Sequence, residues 1–412
     1  MIRLETYARI DKHQMARINR QSVMRCIANH APINRAAIAR MTGLSLPTVM
    51  VITDELIQHG MILAEKVTRR SMGKRPDVLS VCGEHFRFVG VDIGRTATRI
   101  VVVGLDKQPI FTLRFPTEHF EQASGFVDRL CEAIRGAIDQ SQVERETIVG
   151  ICVAMPGLIE RQTGNVLFSP NFGWKDVPLQ AWMNERLPYQ VIVENANRAQ
   201  GMWEICRNQG DDQLSVLCIG LGYGIGGAFF QNGKLYYGAS GTSGEIGHIT
   251  VSRENVWCTC GNRGCLEAMA SGAALAQQAQ SVVGSRVPTL LTEMCGGAVS
   301  AIDARMVFDA SKQGDAVSRE LIEKAADYVG LALATTINVM DPDKIYLCGG
   351  LMKNGDEFLK LIREATLRRQ MHQAGRNVMI LPGSMEEWNV ALGATQVIPY
   401  YEWNAESLSF MR

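Results

Sequence analysis

The same local pattern is written twice along this chain. Residues 86–106, "FRFVGVDIGRTATRIVVVGLD", and residues 214–238, "LSVLCIGLGYGIGGAFFQNGKLYYG", each give a β-rich run, a glycine turn and a second β-rich run. β-branched residues favour strands, and the turn glycines supply backbone freedom. Each unit is followed by helical and strand patterns. After the first come the amphipathic "FVDRLCEAIRGAIDQS", the buried strands "IVGICVAMPG" and "YQVIVEN", and a helix in "ANRAQGMWEI". After the second come a long helix, "AVSRELIEKAADYVGLALATTINVM", and a buried strand, "KIYLCGG". A repeat of this kind predicts a duplicated α/β body of two lobes with a cleft between them. At 412 residues the chain is too long for one ordinary domain. The pattern divides it into a head, 1–82, a first lobe, 83–195, and a second lobe, 196–412, whose last helix returns to the first lobe.

The head differs from the body in charge. Residues 1–80 hold thirteen Lys/Arg against six Asp/Glu, a surplus of seven positive charges that the rest of the chain cancels to a total of zero. A basic head on an acidic body points to a polyanionic partner, against the plainer alternative of a solvated basic surface. Helical spacing joins Ile18, Val23 and Ile27; Ile38 and Ala39 belong to a second, short helix. Gly43 suits a tight turn, Ser45 caps a third helix with Pro47 in its first turn, and Val49, Ile52 and Leu56 form its buried stripe. Gly60 ends it. Two helices about a glycine turn make a helix-turn-helix, and the two strands expected around "RRSMGKRP" make a wing. Recognition helices of this type put their first turns into the major groove. That places Ser45, Leu46, Pro47, Thr48 and Met50 against bases. Arg20, Arg35 and Arg40 are candidates for phosphates, and Asp54 and Glu55, farther along, would repel them.

In "CTCGNRGCLE", three cysteines fall at Cys258, Cys260 and Cys265 with two glycines among them. The N-terminus has no apolar signal core and no apolar run is long enough to cross a bilayer, so a cytoplasmic protein with reduced thiols and no membrane insertion is expected. The cysteines are then a metal site or plain thiols. Zinc takes thiolates and imidazoles in a tetrahedron, and His248, ten residues upstream, is the candidate fourth ligand. Four protein ligands leave no open position, so the site would be structural. Isolated cysteines such as Cys152 and Cys218 read as core residues.

"GEIGHITV" followed by "CTCGNRGCLEAMASG" resembles the signature of the ROK family, which groups bacterial sugar kinases with sugar-responsive repressors. The likeness extends through "VGVDIGRTATRIVVV", "VAMPGLIERQTGNVLFSPNFGWKDVPL", "VENANRAQGMWE" and "LCGGL". It implies a two-lobed, actin-like ATPase body, a His-Cys-Cys-Cys zinc site and a sugar in the cleft. The implied sugar contacts are Gly157, Asn171, Asn195, Glu245, His248 and Glu267. His248 would serve both metal and sugar. Carboxylates and amides suit this task because each bonds neighbouring hydroxyls in a directed way. Trp174 reads as core.

A kinase of this family also needs phosphate cradles and a general base. The family's first turn, Asp-x-Gly-Gly-Thr, reads "DIGRT" here, with Arg95 at the second glycine. Its second turn reads "LGYGIGGA", with Tyr223 for a threonine and Ala228 for a glycine. The family's Val-Glu-Asn-Asp-Ala-Asn reads "VENANR". Ala196 then holds the base position, or Asn195 if one residue is gapped; neither is a carboxylate. No catalytic residue is assigned. The repressors carry a winged helix-turn-helix ahead of this body, with a basic Gly-Arg-Pro wing that "RRSMGKRP" resembles, through Arg69, Arg70, Lys74 and Arg75. Flat guanidinium groups suit a narrow minor groove.

The expectation is a cytoplasmic sugar-responsive regulator, chiefly a repressor. It would bind double-stranded operator DNA as a homodimer or homotetramer and take a monosaccharide or sugar phosphate as effector. The alternatives are a hexose kinase with an accessory DNA-binding head, and a regulator controlled by a phosphotransferase-system protein.

Overall fold

The computed structural model describes residues 12–65, 77–84, 86–118, 120, 122–208, 210–371 and 378–402. The head comprises α1 (Lys12–His30), β1 (Ile33–Asn34), α2 (Arg35–Thr42), α3 (Leu46–Gln58), β2 (Ile62–Glu65) and β3 (Val78–Val81). Asn34 caps α2 by accepting from the Ala37 N–H at 2.9 Å. Gly43 takes a left-handed φ of 72°, and the chain bends by 117° from α2 into α3. Ser45 caps α3, accepting from the Thr48 N–H at 3.3 Å. Val49, Ile52 and Leu56 of α3 are buried with Val23, Ile27 and Ile38 of the other helices. β2 and β3 pair antiparallel from Ile62 opposite Val81 to Glu65 opposite Val78. The wing residues expected between them, Arg69, Arg70, Lys74 and Arg75, lie outside the described residues.

The first lobe runs β4 (Arg87–Ile93), β5 (Ala97–Gly104), β6 (Pro109–Pro116), α4 (Ala123–Gln140), β7 (Ile148–Met155), β8 (Leu158–Ile159), β9 (Val166–Ser169), β10 (Trp174–Val177), α5 (Leu179–Arg186) and β11 (Val191–Asn195), and α6 (Ala196–Arg207) leads on into the second. The second runs β12 (Ser215–Leu221), β13 (Ile225–Gln231), β14 (Lys234–Leu235), α7 (Leu266–Ala270), α8 (Gly272–Gly284), α9 (Leu291–Met294), α10 (Ala304–Lys312), α11 (Ala316–Met340), β15 (Lys344–Cys348), α12 (Asp356–Leu367), β16 (Met379–Pro382) and α13 (Asn389–Glu402).

The two large sheets repeat one another. Their orders are β11-β7-β4-β5-β6 and β14-β13-β12-β15-β16. In each, the first three strands are antiparallel neighbours, and the fourth and fifth run parallel beside the first. The duplicated strand–turn–strand pattern in the sequence therefore corresponds to a duplicated topology. β4 is buried at all but its first residue, which accounts for its apolar run from Phe88 to Val91. α4 and α5 bury their apolar stripes with the first sheet, while α8, α11 and α12 cover the second.

α13 comes back from the end of the second lobe and packs on β4 and α6. Two glycines permit the approach: a Cβ on Gly90 would collide with the Ala391 carbonyl, and one on Gly393 with the Ala199 carbonyl. The head is joined to the body just as closely. β3 ends at Val81 and β4 begins at Arg87. Between them Cys82 is buried, and Val81 and Phe86 pack on a core that runs from α1, α2 and α3 into β4 and β5. No single helix among the described residues is long and apolar enough to cross a membrane.

Candidate functional site

The floor of the cleft is made where β7 and β11 end. Gly157 follows β7 with φ 140°, and a Cβ there would lie 2.6 Å from the Phe168 carbonyl oxygen, so glycine is required. Asn195 ends β11 and opens α6. Its Oδ1 accepts from the N–H groups of Asn197 (2.8 Å) and Arg198 (3.3 Å), and its Nδ2 donates to the Gly157 carbonyl at 2.9 Å. Both atoms of the amide are thereby engaged. Ala196 is the first residue of α6. The nearest carboxylate in the sequence, Glu194, is buried and accepts from its neighbour's N–H (2.7 Å), the Tyr237 hydroxyl (2.9 Å) and Arg198 (3.4 Å).

Arg198 was not singled out by sequence reasoning, yet it ties the floor to the second lobe. It is 4% exposed and donates to the carbonyls of Gly241 and Ser243, at the latter over 3.2 Å. Its guanidinium faces the Tyr237 ring, over which that of Arg161 also stacks. The carbonyls it reaches, those of Gly241 and Ser243, lie more than forty positions away, so no local spacing betrays them.

The loop beyond Ser243 carries Glu245 and His248. His248 Nε2 is 3.7 Å from Glu245 Oε2, while Nδ1 faces the other way, 3.6 Å from Cys258 Sγ. Burial pushes the Glu245 carboxyl above its ordinary range, Glu267 adds to the rise, and His248 and Arg198 oppose it. Glu267, in the first turn of α7, accepts from the Ile225 N–H at 2.8 Å. Glu245, His248 and Glu267 are thus brought together, and Arg198 links them to Asn195 and Gly157. Asn171 stands half-buried at the turn after β9. Trp174, expected in the core, is 7% exposed and packs against Phe126 and Phe172.

One ligand atom each from His248, Cys258, Cys260 and Cys265 lies within 4.8 Å of all the others. Cys260 and Cys265 place their sulfurs 3.7 Å apart. A tetrahedral ion with metal–sulfur bonds near 2.3 Å and metal–nitrogen bonds near 2.0 Å sets edges of about 3.8 Å and about 3.5 Å. The donor set and both separations fit such an ion. Gly261 (φ 90°) and Gly264 (φ 67°) turn the loop, and a Cβ on Gly264 would strike the Ser252 carbonyl. The remaining cysteines form no disulfide among the described residues, and Cys152 and Cys218 are core as expected.

On the head, Leu46 (44%), Met50 (47%) and Val51 (69%) are exposed along α3, beside exposed Ser45 and Pro47 and half-buried Thr48. Two of the expected phosphate-binding arginines are engaged within the head. Arg35 donates to Thr53 Oγ1 (2.8 Å) and Asp54 Oδ1 (2.7 Å), and Arg20 to Glu55 (2.6 Å). These pairs also neutralise the two carboxylates expected to repel DNA. Arg40 remains exposed.

Comparison with known proteins places these features together. Residues 17–62 match a winged helix-turn-helix DNA-binding family, and residues 88–400 match the ROK family. A putative xylose repressor of Caldicellulosiruptor sp. (strain Rt8B.4) is 27% identical over 381 residues, covering 92% of this chain and 95% of its own. A glucokinase of Halalkalibacterium halodurans is 31% identical over 278 residues, covering 67% of this chain and 84% of its own. The crystal structure of a ROK family transcriptional regulator, a homologue of the E. coli MLC protein, superposes with a TM-score of 0.80 at 23% identity, over 96% of this chain and 99% of that one. The fold is accordingly the actin-like ROK body behind a winged helix-turn-helix, and the chain belongs to the ROK family.

Proposed function

We propose that this chain is a sugar-responsive transcriptional repressor, cytoplasmic and dimeric or tetrameric, that binds operator DNA through residues 1–82 and a monosaccharide between the lobes 83–195 and 196–412. One observation carries the reading: a winged helix-turn-helix is fused to a sugar-kinase body whose base position offers no free carboxylate. Ala196 has no acid, Asn195 is an amide whose Oδ1 caps α6 and whose Nδ2 keeps one hydrogen to donate, and Glu194 is held by three donors. Removing a general base costs on the order of 10²–10⁴ in rate, so phosphoryl transfer is not the task of this cleft.

In this reading Glu245, Glu267, His248, Asn171, Asn195 and Gly157 hold the sugar, with directed bonds from carboxylate, imidazole and amide to its hydroxyls. His248, Cys258, Cys260 and Cys265 hold zinc, which stiffens the loop between Glu245 and Glu267. The first turns of α3 enter the major groove with Ser45, Pro47 and Thr48, Arg35 sets the helix from behind, and Arg69, Arg70, Lys74 and Arg75 belong to the wing. Sugar acts by binding one arrangement of the heads better than the other. A phosphotransferase-system protein is the second candidate controller of the same equilibrium.

The test combines two measurements on purified full-length protein. Fluorescence anisotropy with promoter duplexes is expected to give salt-dependent binding that one member of a monosaccharide panel, beginning with xylose, weakens. A coupled assay for ADP release with the same panel is expected to stay at background. The 31% identical glucokinase favours the kinase alternative, and brisk ADP release with one of these sugars would establish that alternative instead.

A further inference from the structure

Arg95 and Tyr223 sit in the corresponding turns of the two sheets, β4–β5 and β12–β13. Both replace the small residues that a phosphate cradle needs for close backbone approach. The structure brings them together across the cleft: the Arg95 guanidinium carbon lies 3.8 Å from the centre of the Tyr223 ring. A planar cation over a phenol face is attracted by the ring's quadrupole. Arg95 is exposed and Tyr223 is 50% exposed, so no burial in either lobe forces this contact.

The other groups around the cradle are also filled by protein. Asp92, the carboxylate at the first turn, faces Arg99 at 3.2 Å, and Arg99 in turn bonds Glu387 at 3.3 Å. A carboxylate paired in this way is a poor partner for the magnesium of a nucleotide. The start of α8, which would otherwise offer N–H groups to an anion, donates them to the second turn. Gly272 N–H reaches the Gly222 carbonyl at 2.8 Å and Ala273 N–H the Tyr223 carbonyl at 3.1 Å, while Ser271 caps Ala274.

We infer that Arg95 and Tyr223 form a cross-lobe clasp that takes the place of a nucleotide. It shuts the phosphate cradle and draws the lobes together, so that the cleft closes on a sugar alone. A kinase spans its lobes with the nucleotide it consumes; here two side chains supply the span. The clasp goes beyond the regulator reading and does not depend on which sugar or which DNA is bound.

The experiment uses full-length protein carrying spin labels, attached through an unnatural amino acid, at the exposed positions of Glu132 in the first lobe and Arg305 in the second. Distance distributions are recorded without sugar for wild type, Arg95→Ala, Tyr223→Ala, the double variant and Tyr223→Phe. Calorimetry with magnesium and AMPPNP is run on the unlabelled wild type. Both positions are exposed, so the variants fold, and Tyr223→Phe keeps the ring. Each alanine variant is expected to shift the distribution to longer distances, and the double variant to shift it no farther than either single, because both remove one shared contact. Tyr223→Phe is expected to match wild type, and wild type to bind the nucleotide with a Kd no tighter than about 1 mM. Unchanged distributions in the alanine variants, additive shifts in the double, or micromolar nucleotide binding by wild type would each overturn the clasp.

Discussion

Glu245 lies in the cleft beside His248 Nε2, within electrostatic reach of Glu267. A carboxylate bonding neutral hydroxyls in such a place contributes about 1.5–3 kcal/mol. Glu245→Ala is expected to weaken the sugar response by about 10–100-fold while operator affinity without sugar stays at the wild-type value. Equal de-repression of both proteins in an anisotropy titration would remove Glu245 from the sugar site. Asp92 offers a test by pH. Burial raises its pKa from 3.8 to about 6, against the pull of Arg99. The folded state then holds this proton more tightly than the unfolded state, so Asp92 lends stability at low pH that is lost as pH rises from about 4 through about 6. Asp92→Asn abolishes that loss. Its stability relative to wild type is expected to improve on the order of 2–3 kcal/mol between pH 4 and pH 6 in urea titrations, and a flat difference would contradict the buried, proton-retaining carboxyl. Residues whose work is local were legible in the sequence: Ser45 as a cap, Gly43 in its turn, the cysteines by spacing. Arg198 and the Arg95–Tyr223 pair were not. Their partners come from distant segments, and a side chain's sequence neighbours say nothing about such contacts.

At the level of elements, α3 and the cysteine loop make separate demands. Arg35 braces α3 through Thr53 and Asp54, whereas Arg40 is free to face solvent. A phosphate contact appears in the salt dependence of binding; a brace does not. Arg40→Ala is expected to lower the slope of log K against log salt by about one, while Arg35→Ala lowers head stability and leaves the slope unchanged. The reverse pattern would exchange their roles. For the loop, full-length protein is expected to carry one zinc per chain by elemental analysis. Cys265→Ser is expected to lose that zinc and several degrees of melting temperature, since ligand binding to the folded state adds directly to its stability. Zinc content unchanged by the substitution would exclude the site. The helix-turn-helix and the strand–turn–strand units were readable because each is set by periodicity and turn chemistry over some twenty residues. The pairing of Arg20 with Glu55 and of Arg35 with Asp54 was not, and it converts an expected repulsion into internal neutrality.

For the whole molecule, duplication was visible in the repeated pattern, and the sheets bear it out strand for strand. How the second lobe is tied to the first was only partly visible, because close packing of α13 depends on what is missing from Gly90 and Gly393 rather than on any residue present. Gly393→Ala is expected to jam α13 against α6 and destabilise the protein by about 1–3 kcal/mol in urea denaturation; a neutral result would mean that the helices slide apart freely.

The short join between Val81 and Arg87 has a mechanical consequence. With Phe86 packed on a core shared by both parts, the head cannot swivel on a tether. Any rotation of the first sheet is delivered to α3 as leverage, without slack to absorb it. A few glycines and serines spliced in at this joint would leave a molecule that still grips its duplex and still takes up its carbohydrate, with neither event audible to the other.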